Sequence, residues 1–262
     1  MLLEAVFRQY GYDFRDYAYS SLNRRISYFA QRLNIATISE LQGKILYEPK
    51  LMEGLVNTLS ITVTEMFRDP SFFEVFRKKI IPYLKEIPHI RIWHAGCSSG
   101  EEVYSMAILL HEEGLYEKSI IYATDINEKV LKEAKEGKVP LKKMQQYTKN
   151  YIEAGGIKEF SKYYCANEKC AIFHSFLQKN IVFAHHNLVT DQSFNEFHMI
   201  ICRNVIIYFN EQLKERVFQL FYESLTEDGY LGLGSKESLI CSSYTDQFQE
   251  VDVQNKLFKK VT

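Results

Sequence analysis

Residues 91–102 read Arg91-Ile92-Trp93-His94-Ala95-Gly96-Cys97-Ser98-Ser99-Gly100-Glu101-Glu102. They run from a strand-like stretch (Arg91–Gly96) through a loop of small residues into an acidic helix start. The same change of period repeats downstream. Ile120–Ile126 reads as a strand and Glu128–Glu136 as a helix; Ile181–His186 and His198–Cys202 read as strands. A long helix is expected over Asn210–Leu225, then a strand over Tyr230–Gly234. Residues 248–253 and 256–261 suit a terminal hairpin turning at Gln254-Asn255. Alternating strands and helices with short connections specify an α/β fold, a mostly parallel sheet covered on both faces, with one antiparallel addition at its end. Lys138–Asn180 is too long for a simple connection and is expected to be an inserted subdomain.

Upstream the character differs. Over the first ~75 residues there is no convincing strand. In Ser20–Leu33, Leu22, Ile26, Phe29 and Leu33 form one apolar helical face, with Arg24, Arg25 and Arg32 elsewhere around the helix. Ser39–Leu46 and Pro49–Leu59 read as further short helices, so a small helical bundle is expected before the change near Pro82 and Pro88.

The 262 residues carry 32 basic and 33 acidic side chains, a formal net charge of −1, with 46% apolar and 25% charged residues. That composition excludes intrinsic disorder and argues against a protein held on nucleic acid by its overall field. No basic segment precedes a long apolar core at the start, and no apolar run approaches the roughly 18 residues that cross a bilayer. Five scattered cysteines suit reduced thiols in a cytosolic protein. Cys165 and Cys170, near His174, His185 and His186, lack the spacing of a zinc site, so no metal is expected. Trp93 reads as core.

In open α/β sheets ligands bind beyond the carboxyl ends of the strands. After the first strand, Ala95–Glu102 lacks the pattern of a dinucleotide fingerprint or a P-loop. Two glutamates at the helix start disfavour a pyrophosphate and favour a neutral or cationic ligand. They also suit the helix dipole with no ligand at all. Asp125, at the end of the second strand, can accept both hydroxyls of a ribose or simply cap the following helix. Asn187-Leu188 follow the third strand, where Asn can pair with an adenine edge. Cys202-Arg203-Asn204-Val205 follow the fourth and lead into Ile206–Phe209. A small-residue loop with a strand-end Asp favours an adenosine-bearing ligand.

Taken together and in order, TVTEMFRDPSFF (62–73), WHAGCSSGEEVYS (93–105), ATDIN (123–127), HNL (186–188) and CRNVIIYF (202–209) resemble the CheR-type methyltransferases. GYDFRDY and NRRI near the start extend the resemblance over nearly the whole chain. These enzymes use S-adenosyl-L-methionine to methylate glutamate side chains of bacterial chemoreceptors and release S-adenosyl-L-homocysteine. The resemblance implies a class I (Rossmann-like) methyltransferase sheet, an N-terminal helical domain for receptor recognition with the start of a linker (1–75), and a cofactor-binding domain (76–262). The insertion at 138–180 corresponds to a small β subdomain, which in some relatives grips a receptor's C-terminal peptide. It also implies a cytoplasmic, monomeric enzyme that works on receptor cytoplasmic domains, with no nucleic acid partner and no insertion into the membrane.

Residue by residue, the resemblance implies that the cofactor sits over the loop Ala95–Gly100, with Ala95 and Gly96 among its contacts. Glu101 reaches its amino-acid end, although a swap with Glu102 is open. Asp125 holds the ribose, Asn187 and Leu188 flank the adenine, and Arg203 and Asn204 line the pocket. Thr62, Thr64 and Arg68 fold over the cofactor. Tyr208 and Arg68 are expected nearest the reaction, and Arg24, Arg25 and Arg32 to dock an acidic receptor helix. The chain departs from the family pattern at Thr62, where many relatives carry Asn, in the loop residues Gly96, Cys97 and Ser99, and mildly at Gly234–Glu237. Two competing readings are a methyltransferase of another acceptor and a non-catalytic module that senses S-adenosylmethionine or its demethylated product.

Overall fold

The computed structural model describes residues 2–60, 64–240 and 242–261. Four helices come first: α1 (Leu2–Tyr10), α2 (Tyr19–Arg32), α3 (Ile38–Tyr47) and α4 (Pro49–Leu59). Helix α2 buries Leu22, Ile26, Phe29 and Ala30, which is the face its periodicity specifies. Thr37 caps α3 by accepting the Glu40 N–H at 3.2 Å, and Pro49 opens α4 where its missing N–H costs nothing. The four helices close on their own core of Val6, Phe14, Leu41, Ile45, Leu55 and neighbours.

Helices α5 (Pro70–Val75) and α6 (Ile81–Glu86) are joined by a π-helical turn, Phe76–Ile80. Strand β1 (Ile90–Ala95) and helix α7 (Glu101–Glu112) follow, then β2 (Ser119–Asp125) and α8 (Glu128–Glu136). The insertion holds β3 (Lys138–Pro140), α9 (Met144–Glu153), β4 (Tyr164–Ala166) and β5 (Cys170–Phe173), and its three strands form a separate antiparallel sheet. The main sheet resumes with β6 (Ile181–His185) and β7 (Phe197–Cys202), followed by α10 (Glu211–Ser224), β8 (Leu225–Leu233), β9 (Phe248–Asp252) and β10 (Leu257–Lys260).

Among the described residues the main sheet has seven strands in the order β6-β2-β1-β7-β8-β10-β9. β6, β2, β1, β7 and β8 are parallel, and β10 enters antiparallel to both its neighbours. The expected terminal hairpin is therefore present. One apolar core lies on each face: Phe72, Ile92, Leu109 and Tyr151 on one side, Trp93, Phe197, Phe221 and Leu231 on the other. Met66, Phe67, Phe72, Phe73 and Phe76 all pack into the first of these cores. Residues 66–75, grouped by the sequence reading with the helical part, thus share the core of the sheet.

β8 begins five residues earlier than expected. The Glu227-Asp228-Gly229 stretch lies within the strand and bulges it, with Asp228 at φ +61° and the register against β7 shifting. The helical part is tied to the sheet part by backbone. Ala18 N–H donates to the Tyr208 carbonyl at 2.7 Å, and Asn210 N–H donates to the Asp16 carbonyl at 2.8 Å, bracketing a bridge between Tyr17 and Phe209.

Candidate active site

A cavity with about 910 Å³ of empty space, its open mouth included, sits beyond the carboxyl ends of β1, β2, β6 and β7. Each strand end contributes: Gly96, Cys97 and Ser98 after β1, Asp125 and Ile126 at β2, His186–Val189 after β6, and Arg203–Val205 after β7. Gly96 has φ +81°, and a Cβ there would meet Val205 Cγ2 at 2.5 Å, so only glycine lets these two loops approach so closely. Both Gly96 N–H and Cys97 N–H donate to the Thr124 carbonyl at 2.9 Å, which locks the loop onto β2.

Asp125 is oriented by backbone. Its two carboxylate oxygens accept Ser98 N–H and Asn127 N–H, each at 2.9 Å, and retain lone pairs toward the cavity. Burial raises its pKa, against the pull of those N–H groups. Helix α8 is capped not by Asp125 but by Asn127, which accepts Lys129 N–H at 3.0 Å. Asp125 is thereby left for the cavity. Asn187 is buried; its side-chain oxygen accepts Val189 N–H at 3.0 Å and its backbone N–H donates to Asp191, fixing the turn that carries Leu188.

At the other end of the cavity Arg203, its side chain 1% exposed, donates to Glu102 at 2.8 Å, to Asp69 at 2.6 Å and to the Arg68 carbonyl at 3.1 Å. Burial would raise the Glu102 pKa, but Arg203 and His94 outweigh it and hold the carboxyl below its ordinary value. Glu102 is therefore an ionised wall of the cavity. Glu101 is not: it is buried, accepts from Ser99 Oγ at 2.7 Å, and turns toward Tyr147 and Lys143 at 3.5 and 3.9 Å. Burial pushes its pKa up. The sequence reading named Glu101 and left a swap open; the cavity-facing glutamate is Glu102, because consecutive helical residues point about 100° apart.

Thr64, Arg68, Asn204 and Tyr208 line the cavity along with the residues above. Ala95 does not; it is 2% exposed and packs into the core behind the sheet. Thr62 lies outside the described residues. Among the described residues, no group of three or more His, Cys, Asp or Glu is arranged to hold a metal ion.

The three arginines of α2 separate. Arg24 and Arg32 are exposed on the wall of a shallow groove with Tyr28, Asn57 and Thr58. Arg25 also borders that groove but is already engaged: it donates to the Leu59 carbonyl at 2.6 Å, and its guanidinium lies 5.1 Å from the centre of the Tyr208 ring. Arg25, expected to dock an acidic helix with the other two, thus shares their groove while also bracing the cavity wall.

The structure adds cavity residues to which the sequence assigned no role: Tyr17, Leu59 and Ser60 from the helical part, and Phe209 and His186 from the sheet part. It also adds Glu237, a buried carboxylate that accepts the N–H groups of Asn204, Val205 and Gly234 at 2.6–2.9 Å. Glu237 shapes the turn in which Asn204 adopts φ +62°.

An adenosine cofactor fits this donor set. Asp125 offers paired acceptors to a ribose. Buried Ser98 Oγ and His186 Nδ1 have no hydrogen-bond partner among the described residues, and ionised Glu102 suits a cationic end. Comparison with known families agrees. Residues 62–257 match the family described as CheR methyltransferase, SAM-binding domain, and residues 1–60 match its all-alpha domain.

The chain belongs to the CheR methyltransferase family.

As a CheR methyltransferase it binds S-adenosylmethionine and is an S-adenosylmethionine-dependent methyltransferase. It is 46% identical to the Pseudomonas putida KT2440 protein Cher3, which is named as a methyltransferase, over 99% of this chain and 95% of that protein. It is 30% identical to a chemotaxis protein methyltransferase of Listeria innocua, over 89% of this chain and 87% of that one. A second P. putida protein, chemotaxis protein methyltransferase Cher2, is 29% identical over 88% of this chain and 85% of its own length. In this CheR methyltransferase the cavity residues are drawn from both matched segments. No helix among the described residues is long and apolar enough to cross a membrane.

Proposed function

We propose that this CheR methyltransferase transfers the methyl group of S-adenosylmethionine to glutamate side chains on the cytoplasmic helices of methyl-accepting chemoreceptors. The products are glutamate methyl esters and S-adenosylhomocysteine, and the enzyme works as a monomer in the cytoplasm. One observation carries the reading: the basic groove on α2 and the cofactor cavity adjoin at Arg25, which borders the groove and holds both Leu59 and Tyr208 of the cavity wall. An acidic helix lying in the groove, against Arg24 and Arg32, would present a glutamate at the cavity mouth beside Tyr208. Relatives named chemotaxis protein methyltransferases support the same acceptor.

The chemistry needs little from the protein beyond placement. The bound cofactor supplies an electrophilic methyl group on a sulfonium and departs as a neutral thioether. A glutamate acceptor, with a reference pKa of ~4.3, is already ionised near neutral pH and requires no general base. Asp125, Asn187 and Leu188 would hold the adenosine end. Glu102 would hold the cationic amino-acid end, with Arg203 keeping Glu102 charged and Asn204 shaping the pocket beside it. Arg68 and Tyr208 would orient the acceptor carboxylate by charge-assisted and hydroxyl hydrogen bonds, and the cavity walls would strip water from it.

The test is transfer itself. Enzyme, methyl-labelled cofactor and purified receptor cytoplasmic domains are incubated, and the product is treated with mild base. Label released as volatile methanol is expected, as for a carboxyl methyl ester. Base-stable label would assign another acceptor, and tight cofactor binding without any transfer would leave a sensor.

A further inference from the structure

Tyr17 belongs to no motif that carries the cofactor, yet it stands on the cavity wall opposite the strand ends. It is placed there by its backbone and by its ring. Its backbone bridges Phe209, with hydrogen bonds from Ala18 to Tyr208 and from Asn210 to Asp16 on either side. Its ring meets Phe14 edge-on at 5.2 Å and Phe209 at 4.9 Å, so it is wedged between the helical core and the core behind the sheet. Further along the same helical domain, Arg25 holds Leu59 and Tyr208, which line the same cavity. A tyrosine fixed at its backbone and packed on two rings is held in place on the wall.

We propose that Tyr17 is a cofactor-contacting residue supplied by the N-terminal helical domain, its hydroxyl serving the ribose side of the cavity together with Asp125. The two groups are complementary. Asp125 only accepts hydrogen bonds, and its oxygens already hold two backbone N–H groups. A phenol supplies the donor the carboxylate lacks, and can accept as well. Burial first, then the neighbouring Asp125 charge, pushes the Tyr17 phenol well above its ordinary value. It therefore keeps its proton near neutral pH. The helical domain is on this account part of the cofactor site, and not only a platform for the acceptor.

The inference rests on the cofactor site of the family and not on the identity of the acceptor, so its test uses no acceptor. Binding of S-adenosylmethionine and S-adenosylhomocysteine is measured by calorimetry on the full chain and on Tyr17→Phe, with Tyr19→Phe, a neighbouring tyrosine 79% exposed, as control. Removing one hydroxyl that contacts ligand is expected to weaken both ligands by about two- to tenfold, with the control unchanged. The ring remains in Tyr17→Phe, so the ligand-free melting temperature is expected to stay where it was. Tyr17→Ala, which also opens the wall, is expected to weaken binding further. Unchanged affinity in Tyr17→Phe would overturn the proposal. So would a ligand-free melting temperature that falls in step with affinity, because it would place Tyr17 in the packing alone.

Discussion

Asp125 and Glu102 are two carboxylates on one cavity with opposite ionisation behaviour. Burial raises Asp125, whereas Arg203 and His94 hold Glu102 below its ordinary value. A ribose hydroxyl donates to a carboxylate but not to its protonated form in the same way, so cofactor binding favours ionised Asp125. Affinity is therefore expected to be full near neutral pH and to fall as pH drops through the raised Asp125 pKa, before Glu102 begins to titrate. Calorimetry of S-adenosylhomocysteine binding from about pH 8 down to about pH 4 reads this directly. In Asp125→Asn the slope is expected to flatten and the affinity at neutral pH to drop by about tenfold or more. The place of Asp125 at the cavity was legible in the sequence, because ligand crevices of open α/β sheets lie at the carboxyl ends of the strands. Glu101 and Glu102 were not separable, because which of two adjacent helical residues faces the cavity depends on the rotation of α7 against the sheet.

The element that joins the cofactor site to the insertion is α7. Its first turn carries Glu102, and its last carries Glu112, whose fully buried side chain meets Arg77 at 2.5 Å and accepts the hydroxyls of Tyr151 and Tyr163. Arg77 also reaches Glu113 at 2.8 Å. Removing one partner of a buried pair leaves the other charge uncompensated, so Arg77→Ala is expected to cost about 3–5 kcal/mol, read as a lower urea midpoint. Arg77→Lys is expected to recover only part of the loss, since an ammonium lacks the rigid planar fork with which the guanidinium reaches Glu112 and Glu113 from separate nitrogens. Elements with a clean period were legible: α2, α8 and α10 match their apolar spacing within a residue or two. Helices α5, α6 and α9 were not. Two short helices joined by a π-helical turn interrupt the 3.6 period, and α9 spreads Met144, Tyr147 and Tyr151 among polar residues with no capping signal.

At the scale of the molecule, charge is distributed by domain. Arg24 and Arg32 remain exposed on α2, while Glu102 and Asp125 face the cavity. Arg24→Glu with Arg32→Glu is expected to raise the KM for a receptor domain by about tenfold, more at low salt than at high, while leaving cofactor affinity unchanged. Steady-state methylation at two ionic strengths, together with cofactor calorimetry, checks both halves. Arg25 is left out of that pair because its reversal would disturb Tyr208 and Leu59 and so confuse docking with catalysis. A net charge of −1 gives no hint of this arrangement, since a sum has no positions.

The sequence by itself determined the alternating sheet, the helical start, the cofactor class and the strand-end residues Gly96, Asp125, Asn187 and Arg203. Each of these is encoded locally, by a period, a turn residue or the place where a strand stops. Only the tertiary structure decided that Glu102 faces the cavity, that Arg25 is a clamp, that Glu237 holds the turn after β7, and that Tyr17 closes the site. Each of those roles depends on a partner 30 to almost 200 residues away in the chain, brought close by the docking of the helical domain and the packing of α7. No local pattern encodes a contact of that kind, because its geometry exists only once two separately formed elements meet.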